Sequence, residues 1–264
     1  VLSPPDSRIM VPHAHQCIVD HCQKFYGRFE KADGLKLAAT GTPKLVVSQS
    51  YVPHWELKGH RDNLLLVSRG HLKTTIQVIA HLIQWIINYQ DIRILIATST
   101  EEKARMIVTE IKSHFQYNPR FRNLYPEFCP QKSISDFGSQ TEFTVPNRQQ
   151  RFKEPTIMTA AVGKALASTH HDVIKCSDVV TENNIRTQGQ IQEVKEWFGW
   201  LDPLRERYKT EGLPNPGWLD VEGTIYDFGD FYQSTLDEIE KGNMPWWRVT
   251  KRSCWVDNAR KQAL

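Results

Sequence analysis

A lysine and two threonines at the mouth of a helix are a chemistry of phosphate. In SRGHLKTT, residues 68–75, Lys73 supplies a compact positive charge and Thr74 a hydroxyl able to ligate a divalent cation. Thr75 adds a second hydroxyl. Ser68, Arg69, Gly70, His71 and Leu72 form a short loop before them, with backbone N–H groups that can wrap phosphate oxygens. The usual pattern, G-x-x-x-x-G-K-[ST], asks for glycines where this chain has Val67 and Leu72, although Gly70 sits mid-loop. The competing reading is an ordinary strand-turn-helix carrying a surface lysine.

Such a loop works only if a strand delivers it and a helix receives it. LLLVS before it is a short apolar strand. TTIQVIAHLIQWIINY after it is helical by the spacing of Ile76, Ile79, Ala80, Ile83, Ile86 and Ile87. DIRILIATST then gives a second strand, and EEKARMIVTEIKSHF a second helix, opened by Thr100 with acidic residues in its first turn. This alternation predicts βαβ units and an α/β fold with a mainly parallel central sheet flanked by helices. TEFTVP and EPTIMTAAV read as strands, paired as a hairpin at the sheet edge. VIKCSD is a strand ending at Asp178, where an acidic group can hold a metal's water shell. TQGQIQEVKEWFGWLDPLRERY reads as a helix, and GWLDVEGTIYDFGDFYQSTLDEIEKG as strand, turn and helix, with Gly223-Thr224 at the turn. A further strand is expected near MPWWRVTKRSCW, and a helix from about His15 to Phe29. Residues 1–60 read as an adaptor or lid region and 61–264 as the main domain.

Five blocks, in this order, resemble the ATPase domain of the large terminase subunits of tailed phages, the motors that package viral DNA. They are SRGHLKTT, NPRFRNLYPEF, KEPTIMTAAVGKA, SDVVTENN and GTIYDFGDFY, and the similarity covers roughly Leu64 to Tyr232. The resemblance implies a P-loop NTPase of the ASCE type with a variant Walker A loop, hydrolysing ATP with Mg2+ to translocate DNA. Lys73 then matches the phosphate-binding lysine, Thr74 the magnesium ligand, and Arg69 the loop arginine that reaches the γ-phosphate. Gly70 and His71 supply backbone N–H groups, and Gly223 and Thr224 match the motif coupling hydrolysis to movement. Gln16 falls where the family recognises adenine; the alternative is a glutamine on a helix surface. The implied partners are double-stranded DNA, the portal protein, the small terminase subunit and further copies in a ring on the procapsid. The implied location is the cytoplasm of the infected bacterial host. The family's C-terminal nuclease domain has no counterpart here, so no DNA cleavage is expected of this chain.

The acidic strand departs from the family pattern of two successive carboxylates: here the pair is Ser177-Asp178. Ser177 can hold a metal-bound water without contributing charge. Two assignments follow. Asp178 takes over metal duty while Glu182 or another group orients water, or Asp178 itself activates water. Glu182 has a plain alternative as a carboxylate near a helix start. The trans-acting arginine has no obvious counterpart; Arg148, Arg151 and Lys164 are candidates, each competing with a solvated surface charge.

Composition sets the outer bounds. A chain of 264 residues can bury a substantial core, and no apolar run is long enough to cross a bilayer. The N-terminal VLSPPDSRIMVPHAH lacks the order of a secretory signal. A net charge of +3 neither requires nor excludes a nucleic-acid partner. Five scattered cysteines favour free thiols in a reducing compartment. HAHQCIVDHC lacks the spacing of a zinc site. Arg205, Arg207 and Lys209 are modest candidates for DNA contact. Of the aromatic residues, Trp197, Phe198, Trp200, Trp218 and the Trp246-Trp247 pair are base-stacking candidates or, more simply, core or interface anchors.

Overall fold

The computed structural model describes residues 61–131, 137–165, 168–208 and 217–252, together with Ile18 and four short strands near the termini. Most of the expected adaptor region, Gln16, HAHQCIVDHC apart from Ile18, and Lys209 lie outside the described residues.

Seven strands form one sheet: β1 (Asp62–Val67), β2 (Ile94–Thr98), β3 (Glu142–Phe143), β4 (Ile157–Ala161), β5 (Val173–Ser177), β6 (Trp218–Gly223) and β7 (Trp247–Arg252). Their spatial order is β3-β4-β2-β5-β6-β1-β7, and every pairing is parallel except β3 with β4. The expected hairpin therefore lies at one edge, and the strand near MPWWRVTKRSCW closes the other. One strand, β6, separates the strand before the loop from the strand ending at Ser177.

The central strands are largely apolar because helices cover both faces. Side chains alternate between those faces. On β2, Ile94 and Ile96 join a cluster with α1 (His81–Asn88) and α2 (Glu101–Tyr117), while Leu95 and Ala97 point the other way. That second cluster packs α4 (Gln188–Gly199) and α5 (Phe231–Glu240) through Val194, Trp197, Phe231 and Leu236. Fully burying a Leu or Ile is worth about 1.5–3 kcal/mol, so two such layers dominate the gains that oppose chain entropy. Polar side chains punctuate the α1 face: Lys175 ion-pairs with Asp220, which also accepts from Asn63 at 2.9 Å.

The helix after the loop departs from the sequence pattern. It starts as a π-helical stretch, Thr74–Ala80, and continues into α1. Val78, Leu82 and Trp85 are buried, outside the face expected from the isoleucine spacing. The wider winding shifts the angular phase, and the helix is enclosed by the sheet and by neighbouring aromatic side chains. The second helix begins as expected: Thr100 accepts a bond from the backbone N–H of Lys103. The connector NPRFRNLYPEFCP contains α3 (Pro119–Leu124), capped by Asn118, and a 3₁₀ turn at Pro126–Phe128. α4 ends at Gly199, short of the expected helix to Tyr208, because a Pro-containing 3₁₀ turn follows at Asp202–Leu204. The helix expected from His15 to Phe29 is corrected at its end, where Gly27–Phe29 is a strand antiparallel to Tyr51–Pro53.

Candidate phosphate- and metal-binding site

All the expected site segments within the described residues leave the same edge of the sheet, where parallel strands finish. Open α/β sheets bind ligands at that edge. β1 runs into the loop Ser68–Leu72, β5 ends at Ser177-Asp178, and β6 ends at Glu222-Gly223.

The loop turns without the usual glycines. Gly70 adopts φ +87°, and Leu72 adopts φ +54° at the place where the standard pattern has its second glycine. A side chain in left-handed backbone costs about 1–2 kcal/mol, so the surrounding structure holds Leu72 in this turn. His71 Nδ1 shares a hydrogen bond with Ser68 Oγ at 2.9 Å, bridging the loop. The Ile76 N–H donates to the Leu72 carbonyl at 3.0 Å, and the helix begins there. Lys73 thus sits at the helix start, with only 9% of its side chain exposed. Thr75 is half-buried on the first turn.

Lys73 Nζ donates to Asp178 Oδ2 at 2.9 Å and lies 3.3 Å from Glu222 Oε2. Burial works against its charge, but the carboxylates of Glu222 and Asp178 outweigh that and raise its pKa. The ammonium is therefore retained. Thr74 Oγ1 donates to Glu222 Oε1 at 2.7 Å, and Ser177 Oγ donates to the same oxygen at 2.5 Å. Glu222 is fully buried. Burial raises its pKa against the opposing pull of Lys73. Its Oε2 receives no hydrogen bond. Asp178 sits in left-handed backbone at φ +45°, a conformation that aspartate tolerates better than most residues, and its N–H donates to the Glu222 carbonyl at 3.0 Å.

The structure therefore joins Lys73, Thr74, Ser177 and Asp178, and adds Glu222, which sequence reasoning passed over. The signal was present: WLDVEG alternates Asp220 and Glu222 along an otherwise apolar strand. VIKCS likewise places Lys175 and Ser177 on one face.

Arg69 and Glu182 form a separate exposed pair. Arg69 Nη2 donates to Glu182 Oε1 at 2.9 Å and to the Tyr226 hydroxyl, and the guanidinium stands 5.1 Å from the Tyr226 ring centre. Thr224 Oγ1 donates to the Val67 carbonyl at 3.2 Å, tying the end of β6 to the end of β1. Gly223 packs directly on Tyr232, and a Cβ there would overlap the ring. The Tyr232 hydroxyl donates to the Glu222 carbonyl at 3.3 Å.

Several other candidates have structural partners. Arg148 Nη1 donates to the Glu154 carbonyl at 2.6 Å, and Arg205 pairs with Asp62 and bonds the Gly217 carbonyl. Arg207 meets Asp202 at 3.3 Å. Lys164 is exposed, 3.7 Å from Glu101. Arg151 is exposed. Trp197, Trp218 and Trp247 are buried, whereas Trp200 and Trp246 are exposed. Among the described residues no group of three or more His, Cys, Asp or Glu side chains is arranged to hold a metal by itself, and no helix is long and apolar enough to span a membrane. Cys129 and Cys176 are buried free thiols. No protein-family model matches the chain, and no curated protein matches it significantly.

Proposed function

We propose that this chain is a P-loop ATPase domain of the ASCE type, serving as the motor of a large terminase that drives viral double-stranded DNA into a procapsid. The observation that carries the nucleotide half is the convergence of Lys73 and Thr74, at the helix start, on carboxylates from two neighbouring strand ends. The motor half rests on the five ordered blocks resembling terminases. The partners in this reading are double-stranded DNA, the portal protein, the small terminase subunit and further copies in a ring, in the cytoplasm of the infected bacterial host.

In this mechanism the triphosphate lies along the loop of Ser68–Leu72, and Lys73 turns its ammonium from Asp178 and Glu222 onto the β/γ oxygens. The side chains fit a magnesium ion. Thr74 donates a hydrogen bond to Glu222 Oε1, leaving its own oxygen lone pairs available, and Glu222 Oε2 is held only by the Lys73 ammonium at 3.3 Å. Magnesium would supply neutralisation of phosphate charge, with Thr74 and an adjoining carboxylate as its holders. Asp178 accepts the proton of the attacking water. The water oxygen bonds to the γ-phosphorus as the bond from that phosphorus to the bridging oxygen breaks, ADP leaves with the electron pair, and the γ-phosphoryl group departs as inorganic phosphate. Arg69, exposed within the loop, exchanges Glu182 for the γ-phosphate. Thr224, bonded to the end of β1, transmits the change to β6.

The test is ATP turnover with and without double-stranded DNA and portal-bearing procapsids. Stimulated hydrolysis abolished in Lys73→Ala supports the motor; unchanged hydrolysis in that variant removes the site assignment. Stimulation by DNA that ignores the portal favours a helicase-like ATPase. Tight binding without turnover favours a nucleotide-binding assembly module.

A further inference from the structure

Glu222 is an unusual residue to find where it is. It is wholly buried at the end of a central parallel strand, and it stands directly across from Ser177 in the β5–β6 register. Burying a carboxylate costs several kcal/mol unless partners compensate. Its compensation is lopsided. Oε1 accepts two hydroxyls, from Thr74 and Ser177, while Oε2 accepts none and stands 3.3 Å from Lys73 Nζ. Lys73 is shared with Asp178, the better-placed partner at 2.9 Å. Oε2 is thus a wholly buried carboxylate oxygen held by no hydrogen bond, only by an ammonium it shares with Asp178, and it lies beside the threonine hydroxyl that would ligate a metal.

We infer that Glu222 is the metal-shell carboxylate of this site, and that the acidic function missing at Ser177 has been moved across to the neighbouring strand. The inference rests on the nucleotide-binding reading above. Its physical logic is reach. Ser177 and Glu222 are opposite partners on one face of the sheet, and glutamate's longer stem carries its carboxylate over to the serine hydroxyl at 2.5 Å. A carboxylate anchored on either strand therefore occupies one common space next to Thr74. Ser177, holding Glu222 Oε1, becomes a positioning residue that orients the ligand. Asp178 then has no metal charge to supply and remains for the attacking water, which decides between its two sequence assignments.

The experiment measures Mn2+ binding by electron paramagnetic resonance in the presence of a non-hydrolysable ATP analogue, together with analogue binding in EDTA. Glu222→Gln keeps the size of the side chain and an oxygen to accept from Thr74 and Ser177. It is expected to weaken Mn2+ binding about 10–100-fold while leaving metal-free analogue binding and the thermal unfolding profile near those of the wild type. Ser177→Asp added to Glu222→Gln is expected to restore most of the lost affinity, because the carboxylate returns to the same space from the other strand. Undiminished Mn2+ binding in Glu222→Gln overturns the inference while leaving the nucleotide site intact. Loss without recovery in the double variant, with the fold preserved, overturns the exchange between strands. A wild-type chain that binds no analogue in EDTA or with Mn2+ overturns the nucleotide reading itself, and this inference falls with it.

Discussion

Ser177 and Glu222 face each other across two parallel strands, and the serine hydroxyl donates to the buried carboxylate at 2.5 Å. The relationship is asymmetric: one residue brings the charge and the other brings only a proton. Ser177→Asp alone places a second carboxylate against the first inside the protein. Two acids in one buried space raise each other's pKa and repel when ionised. The variant should lose about 1–3 kcal/mol of stability at neutral pH in EDTA, with part of that returned by millimolar Mg2+. Chemical unfolding with and without the ion checks it; a variant as stable as the wild type in EDTA would mean the two side chains do not share that space.

Leu72 occupies a backbone conformation that suits glycine. Leu72→Gly removes the left-handed penalty and Leu72→Ala keeps it, and both lose the packing of the side chain beyond Cβ. The glycine variant should therefore unfold at higher denaturant than the alanine variant, by about 0.5–1 kcal/mol, the reverse of their ranking in a helix or strand. Equal midpoints would show that the loop relaxes out of the turn once the leucine is gone.

Gly223 presses on the Tyr232 ring, and Tyr232 is fully buried. Gly223→Ala forces either the strand end or α5 to move, with an expected cost of about 1–3 kcal/mol for overpacking. Tyr232→Ala should make the alanine at 223 better tolerated, so the double variant should be more stable than the two single costs added together imply. Simple additivity in a double-mutant cycle would remove the steric account.

His171 is completely buried; its Nε2 shares a 2.9 Å hydrogen bond with Thr169 Oγ1, and its Nδ1 has no hydrogen-bond partner. Burial, only partly offset by Glu154, lowers its pKa from 6.5 to about 4. The unfolded chain thus takes up this proton first as pH falls. The contribution of the neutral imidazole to stability is intact above 6.5, declines through the window between 6.5 and about 4, and is gone below it. At 1.36 kcal/mol per pH unit the loss amounts to about 3 kcal/mol. His171→Gln cannot titrate, so the stability difference between wild type and variant should shift by that amount across the window. A difference independent of pH would contradict the buried neutral imidazole.

The loop, the parallel sheet and the helix caps were legible because each is set by neighbours in the chain. Apolar runs of strand length alternate with helix-length segments, Thr100 stands three residues before Lys103, and Lys73-Thr74 open the helix after β1. The π-helical start was not legible, since an apolar spacing read at 3.6 residues per turn carries no sign of wider winding.

What the sequence by itself determined is the order of α/β elements and the placing of Lys73 and Thr74 at a helix start, since strand period, helix period and capping act within a few residues. What only the tertiary structure decided is which acids face those side chains. Glu222 lies 148 positions from Thr74 and 45 from Ser177, and the three meet because strand register aligns Ser177 with Glu222 while β6 runs between β5 and β1. Register is fixed by packing both sheet faces at once, a property of the assembled layers rather than of any one stretch of chain.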